Sequence, residues 1–397
     1  MSDKTVLILG ASYYQIDTIK AAKKLGYKVL TTDNNAMSPG HALADKSFEI
    51  NTTDKDGILN LAISNRIDGI ISPASDVAVP TVAFVAKKLG LAGPPELAVE
   101  IVCDKQQFRQ FQIDHGLPTP KRIKESELNN SSQNFSQQLP MIIKPSRSSG
   151  GKGVYIVREI TELYTRLMDA QEVSTNDKVI VEEYIVGAQG TAEGLMLDGE
   201  IDSLFVMDRK TAAPPFVTTV GHQIPSELPA QIIDELSRQI SLIWSELKVN
   251  NGPFDCDFVV KGSNVYILEI TPRIGGNSIS RLLNYAVNFD IIENSLRWVC
   301  GELAHSSAGI NFVPHALILF GVDWEGDIEY NEDQLSALQE ENWVRNIEID
   351  LEPNTPTKPF INSRFRVGEC IVQGRDRTEI LYRVGEVHRR LNIHIKQ

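Results

Sequence analysis

Hydrophobic and polar positions along this 397-residue chain alternate between two rhythms. Thr5-Val6-Leu7-Ile8-Leu9 is a continuous apolar run of buried-strand length, followed by a Gly10-Ala11-Ser12 turn and an amphipathic helix from Gln15 to Leu25 stopped by Gly26. Lys28 to Asp33 reads as a second strand with an acid at its carboxyl end, and Ile67 to Pro73 as a later one followed by Ala74-Ser75-Asp76 and another helix. Strands alternating with helices predict a parallel sheet with ligands near the strand carboxyl ends. Tyr13, Tyr14, Gln15, Asp33, Ser75 and Asp76 are candidates for that edge, or are loop and capping residues. A dinucleotide loop is disfavoured, because Ser12 and Gln15 stand where G-x-G-x-x-G needs glycine.

The rhythm changes after residue 100. A helix over about 100–123 carries Asp104-Lys105 and stops at Gly116-Leu117-Pro118, and Glu125 to Gln138 is a polar surface connection. Met141 to Val154 is then a strand ending in Lys144, a loop of small residues with three glycines and a second strand. That order is not the P-loop, which needs a helix next. Without Cβ atoms, however, such a hairpin lets backbone N–H groups reach a phosphate, with Lys144 to neutralise it, so phosphate binding is the favoured reading. Val179 to Gly187 is a strand running into a linker, whose free backbone groups can read an adenine edge or simply belong to the core.

The stretch with the most chemistry is Phe254 to Arg273, two β-rich runs around Gly262-Ser263-Asn264. A three-residue loop places Asp257 and Glu269 roughly opposite each other on one face. Two such carboxylates can hold a hard divalent cation, with water and substrate oxygens completing the shell; the same pattern also describes a hairpin with two ordinary surface acids. Arg273 adds a fork-shaped cation. The segment Asp208 to Pro225 reads as a loop carrying cations and His222, and Ile232 to Leu247 as a core helix with a one-sided apolar stripe. Ala316 to Phe320, Phe365 to Asp376 and Arg377 to Leu391 give strands and a closing helix.

Composition narrows the classes. Lys plus Arg at 39 against Asp plus Glu at 52, a net charge of −13, disfavours a general nucleic-acid or anionic-membrane surface. Four widely spaced cysteines without C-x-x-C indicate neither a zinc site nor a disulfide framework. No signal pattern opens the chain and no apolar run reaches membrane-spanning length, so a cytoplasmic protein is expected.

The order Asp104-Lys105, Ile143-Lys144-Pro145 with its glycine loop, Glu182 to Gly187, Asp257 and Glu269-x-Thr271-Pro272-Arg273 resembles the ATP-grasp superfamily, in its carbamoyl-phosphate-synthetase-like and amino-acid-ligase branches. The resemblance covers nearly the whole chain. It implies an α/β architecture: a Rossmann-like parallel sheet over 1–100, an ATP-grasp small lobe over 101–187, a large lobe with the metal site over 188–304, and a C-terminal completion over 305–397. It implies that Lys105 and Lys144 contact ATP phosphates, that Ser149, Gly150, Gly151 and Gly153 cover them, and that Glu182, Glu183, Tyr184 and Ile185 hold adenine. Gln189 stands where family members often carry a ribose-binding glutamate. Asp257, Glu269 and Thr271 would bind magnesium, with manganese as an alternative; Thr271 departs from the usual asparagine, so Asn277 is a substitute ligand. Arg273, Arg281 and His222 would serve substrate or transferred phosphate, with a structural ion pair as the alternative for Arg281 and a surface or turn histidine for His222, and Glu193 is a candidate for orienting an amine. The implied activity is ATP-dependent joining of a small carboxylic acid and an amine through an acyl phosphate, with ADP and phosphate released. The alternatives are a carboxylase or formate- or bicarbonate-activating enzyme, and a nucleotide-binding module with weak turnover. A homodimer would fit the family.

Overall fold

The computed structural model describes residues 4–123, 138–213, 216–302 and 312–396. The polar connection expected between Glu125 and Gln138 lies almost wholly outside them. The amino-terminal strands form a four-stranded parallel sheet in the spatial order Lys46–Glu49, Lys28–Asp33, Thr5–Leu9, Gly69–Ile71. Thr5–Leu9 is buried along its whole length, as a strand covered on both faces must be. Beyond the strand carboxyl ends lie Tyr14, Ala74 and Asp76, which face the main cavity. Gln15 and Asp33 serve the turns instead: Gln15 Nε2 donates to the Pro73 carbonyl (2.8 Å) and Asp33 Oδ2 accepts from the Ala11 N–H (2.9 Å).

The single helix expected across residues 100–123 is two helices, Glu96–Val102 and Lys105–Asp114. Asp104 breaks them apart, because its side chain caps the second helix by accepting from Gln106 and Gln107 N–H. A three-stranded antiparallel sheet follows, with Met141–Pro145 between Tyr155–Val157 and Val179–Glu183.

The largest sheet has eight antiparallel strands, running Asn264–Thr271, Gly252–Lys261, Ala188–Leu197, Glu200–Thr211, Thr219–Ile224, His315–Phe320, Gly368–Gln373, Val344–Ile349. The carboxy-terminal strands thus continue the sheet that carries the Asp257 hairpin. The helix Ala230–Glu246 buries Leu236, Ile240, Ile243 and Trp244 against that sheet. Residues 208–225 correct the loop expectation: Glu200–Thr211 and Thr219–Ile224 are paired strands, and His222 sits inside the second, opposite Arg209 on one side and Leu317 on the other. Glycine, proline and polar residues there mask a strand held by its neighbours in the sheet.

Candidate active site

The hairpin Gly252–Lys261 and Asn264–Thr271 turns in two residues, Gly262 and Ser263, rather than three. In that register Asp257 would face Leu268, and Glu269 would point through the opposite side of the sheet. A β-bulge changes this: Phe258 still pairs with Ile267, but Asp257 pairs with Glu269, leaving Leu268 as the extra residue. Arg109 Nη2 fixes the bulge by donating to the Leu268 carbonyl (2.8 Å). Leu268, Glu269 and Asp257 then all face one cavity of about 220 Å³.

Both acids are held in place. Asp257 accepts from Thr191 Oγ1 (2.6 Å) and from Arg209 Nη1 (2.8 Å). Glu269 accepts from Lys105 Nζ at 3.1 Å; burial alone would raise its pKa, but Lys105 and then Arg273 hold it below the usual value. Two carboxylates on rigid strands fit the demand of a hard divalent cation that leaves its remaining positions to water and phosphate oxygens. Among the described residues no group of three or more His, Cys, Asp or Glu could hold a metal alone. Thr271, 1% exposed, does not line the cavity, whereas Asn277 does.

The cations are organised by a buried ion-pair cluster. Glu182 accepts from Arg109 Nε (2.6 Å) and Lys144 Nζ (2.9 Å), with Glu182 and Arg109 both fully buried. Burial would raise the Glu182 pKa, yet Arg109 and Lys144 hold it down to about 2. The Lys144 ammonium is pushed the other way from a simple ion-pair partner: burial lowers its pKa, with Arg109 adding to it, by more than Glu182 restores. We take the pair as charged, because Glu182 faces two cations while Lys144 faces one anion. Lys105, also buried, is lifted above its usual value because Glu269 and Asp76 together outweigh the burial penalty. Asp104 ties this corner together, accepting from Ser146 Oγ (2.7 Å), Arg147 Nε (3.0 Å) and Asn176 Nδ2 (3.1 Å).

Of the residues expected to cradle a nucleotide, Gly150, Gly151, Glu183, Tyr184, Ile185 and Gln189 line the cavity together with Lys105 and Lys144. Ile142, Val154 and Leu268 give it apolar walls. Among the described residues the Ile185 N–H has no hydrogen-bond partner, leaving a donor for a ring nitrogen. Three expected residues do not line it. Glu182 lies beneath, in the ion-pair cluster; Ser149 stays outside; and Gly153, at φ +69°, forms a turn where a Cβ would come within 2.4 Å of Val173.

Arg273 reaches the cavity between two acids, Asp76 (Nη2, 2.6 Å) and Asp255 (Nη1, 2.8 Å). Asp255 is pushed up to about 7 by burial, against the pull of Arg273 and with the Asp257 and Asp76 charges adding to the rise. His222 lines the cavity from a strand rather than a loop and is 2% exposed; its Nε2 lies 3.2 Å from Thr191 Oγ1, and burial, reinforced by Arg209, lowers its pKa to about 3. Glu193, fully buried, accepts from the Gly275 N–H (2.7 Å) and does not line the cavity. Arg281 is corrected most clearly: it is absent from this cavity and lines a neighbouring one, engaged by Asp17, Glu348 and Glu369.

Sequence reasoning missed Asp255, Arg209 and Arg109. Asp255 had a signal, since it stands two residues before Asp257 and so on the same face. Arg109 had only its place one helical turn after Lys105.

Residues 137–281 match the family model of the ATP-grasp domain. The chain is 24% identical, over 98% of its length and 96% of the relative's, to the formate-dependent phosphoribosylglycinamide formyltransferase of Thioalkalivibrio sulfidiphilus. In fold it is similar to the L-amino acid ligase from Bacillus licheniformis, with a TM-score of 0.81 at 17% identity over 100% of this chain and 99% of that one. It is likewise similar to phosphoribosylglycinamide synthetase from Anaerococcus prevotii, with a TM-score of 0.78 at 22% identity over 100% of both chains.

Proposed function

We propose that this chain is an ADP-forming carboxylate–amine ligase. The observation that carries the reading is the convergence of Asp257 and Glu269 with Lys105, Lys144 and Arg273 on one cavity. A carboxylate resists attack by an amine, so one of its oxygens first displaces ADP from the γ-phosphorus of ATP, breaking the bond to the β–γ bridging oxygen. The amine then attacks the acyl carbon and phosphate departs, with the amine proton passing to solvent or phosphate. Both steps concentrate negative charge on oxygen, which preorganised cations stabilise.

Each lysine is held by a carboxylate that an incoming phosphate would share: Lys144 by Glu182 and Lys105 by Glu269. Arg273, fixed between Asp76 and Asp255, presents a positioned guanidinium. Asp257 and Glu269, with Asn277, would hold magnesium, which supplies Lewis-acid polarisation of phosphoryl oxygens. Tyr184 and Ile185 would receive the adenine, and Gly150 and Gly151 would cover the phosphates. His222, neutral and buried, orients Thr191 rather than transferring a proton.

Formate is the acid named for the relative aligned over 98% of this chain, so a one-carbon acid is the second reading. A cytoplasmic setting belongs to the same proposal. The test is phosphate release from Mg-ATP across formate, bicarbonate and amino acids, each with and without amines. Release that needs both an acid and an amine is expected; release indifferent to every acid would contradict the ligase.

A further inference from the structure

A second cavity of about 190 Å³ shares Tyr14, Gly276 and Asn277 with the first as common walls. It therefore opens beside the residues placed around the reacting end. Its charged lining is four carboxylates, Asp17, Glu348, Asp350 and Glu369, against the cations Lys20, Arg281 and Arg366.

Both guanidiniums are engaged by carboxylates. Arg281 donates Nε and Nη2 to Asp17 (3.2 and 3.0 Å) and Nη1 to both Glu348 and Glu369 (3.0 Å each). Arg366 donates to Glu369 and to Asp350 (3.1 Å) and lies 5.5 Å over the Tyr14 ring. Lys20 is exposed at the rim. A phosphate dianion would have to compete with these carboxylates for the guanidiniums while sitting among four anions. An ammonium, compact and a donor only, would meet carboxylate oxygens directly.

We infer that this second cavity is the acceptor pocket and that it takes a phosphate-free amine carrying positive charge, an inference that rests on the ligase reading. It separates this chain from relatives whose names specify phosphoribosylglycinamide.

The test is calorimetric titration of the full chain, with Mg-ADP present, using 1,4-diaminobutane and ribose 5-phosphate as probes. Diaminobutane is expected to bind at least tenfold more tightly. Glu348 is half exposed, its side chain 52% accessible, so its substitution leaves folding intact. Glu348→Gln should weaken diaminobutane about threefold, the scale of one exposed charge contact. Glu348→Lys should weaken it further and strengthen ribose 5-phosphate. Tighter binding of ribose 5-phosphate to the unmodified chain, or diaminobutane affinity unchanged in both variants, would overturn the assignment. Ribose 5-phosphate preference alongside acid-dependent phosphate release would sink the pocket assignment alone; diaminobutane binding without release for any acid would sink the ligase reading and the acceptor role together.

Discussion

Replacing Glu182 with glutamine keeps its shape and removes the one anion between Arg109 and Lys144, all three being buried. A carboxylate moved from 4.5 to about 2 is favoured in its charged form by on the order of 3 kcal/mol, in line with about 3–5 kcal/mol for breaking a buried ion pair. The pH dependence follows from the sign. Because the folded pKa lies below the unfolded one, the stabilisation is fully present above pH 4.5 and is lost as pH falls through about 2. Urea unfolding followed by tryptophan fluorescence should therefore place Glu182→Gln on the order of 3 kcal/mol below the parent at pH 7. At pH 4 the gap should narrow by about 1 kcal/mol. A loss under about 1 kcal/mol at pH 7, or a gap that does not shrink in acid, would refute the claim that this cluster is charged and stabilising. Arg109 also fixes the Leu268 bulge, so the variant should lose Mg-ATP affinity too.

Three further outcomes follow from the site. Asp257→Asn retains a group for Thr191 to bond but loses the charge; phosphate release should fall about 100-fold or more, and turnover near that of the parent would remove Asp257 from the metal site. His222, depressed to about 3 by burial, should show no imidazole titration by NMR between pH 5 and 8; a midpoint near 6.5 would contradict its burial. The sign for stability is that its neutral form favours the fold above about pH 6.5, and this is lost as pH falls toward 3. Gly150→Ala forces a side chain onto φ +67° and places a Cβ 2.3 Å from Ser363 Oγ, at a cost of about 1–3 kcal/mol locally. The KM for ATP should rise, and an unchanged KM would show that the glycine loop does not cover the nucleotide.

What could be read from the chain was what local pattern dictates. The strand Lys28–Asp33 and the helix Arg377–Leu391 stand where hydrophobic rhythm and caps put them, and the parallel amino-terminal sheet follows from strand–helix alternation. The facing of Asp257 and Glu269 was reached through a wrong turn length: the turn has two residues, and the bulge at Leu268 supplies the missing step. A bulge has no sequence signature of its own when the arginine that holds it is 159 positions away. The same distance problem hid the Glu182 cluster, whose members looked like an adenine-binding strand, an ordinary helix and a phosphate lysine. His222 was placed in a loop, while its actual neighbours, Arg209 and Leu317, come from strands paired by the tertiary fold. Arg281 was grouped with Arg273 by proximity in sequence, but the helix Ile279–Val287 turns it to the other cavity.

The most direct test of the ligase is the fate of oxygen. With the stimulating acid labelled with ¹⁸O in its carboxylate, Mg-ATP and an amine, phosphorylation of the acid requires that each phosphate released carry one labelled oxygen. Phosphate that emerges unlabelled while amide accumulates would mean that the acid is never phosphorylated, and the assignment of Lys105, Lys144 and Arg273 to acyl-phosphate chemistry would fall.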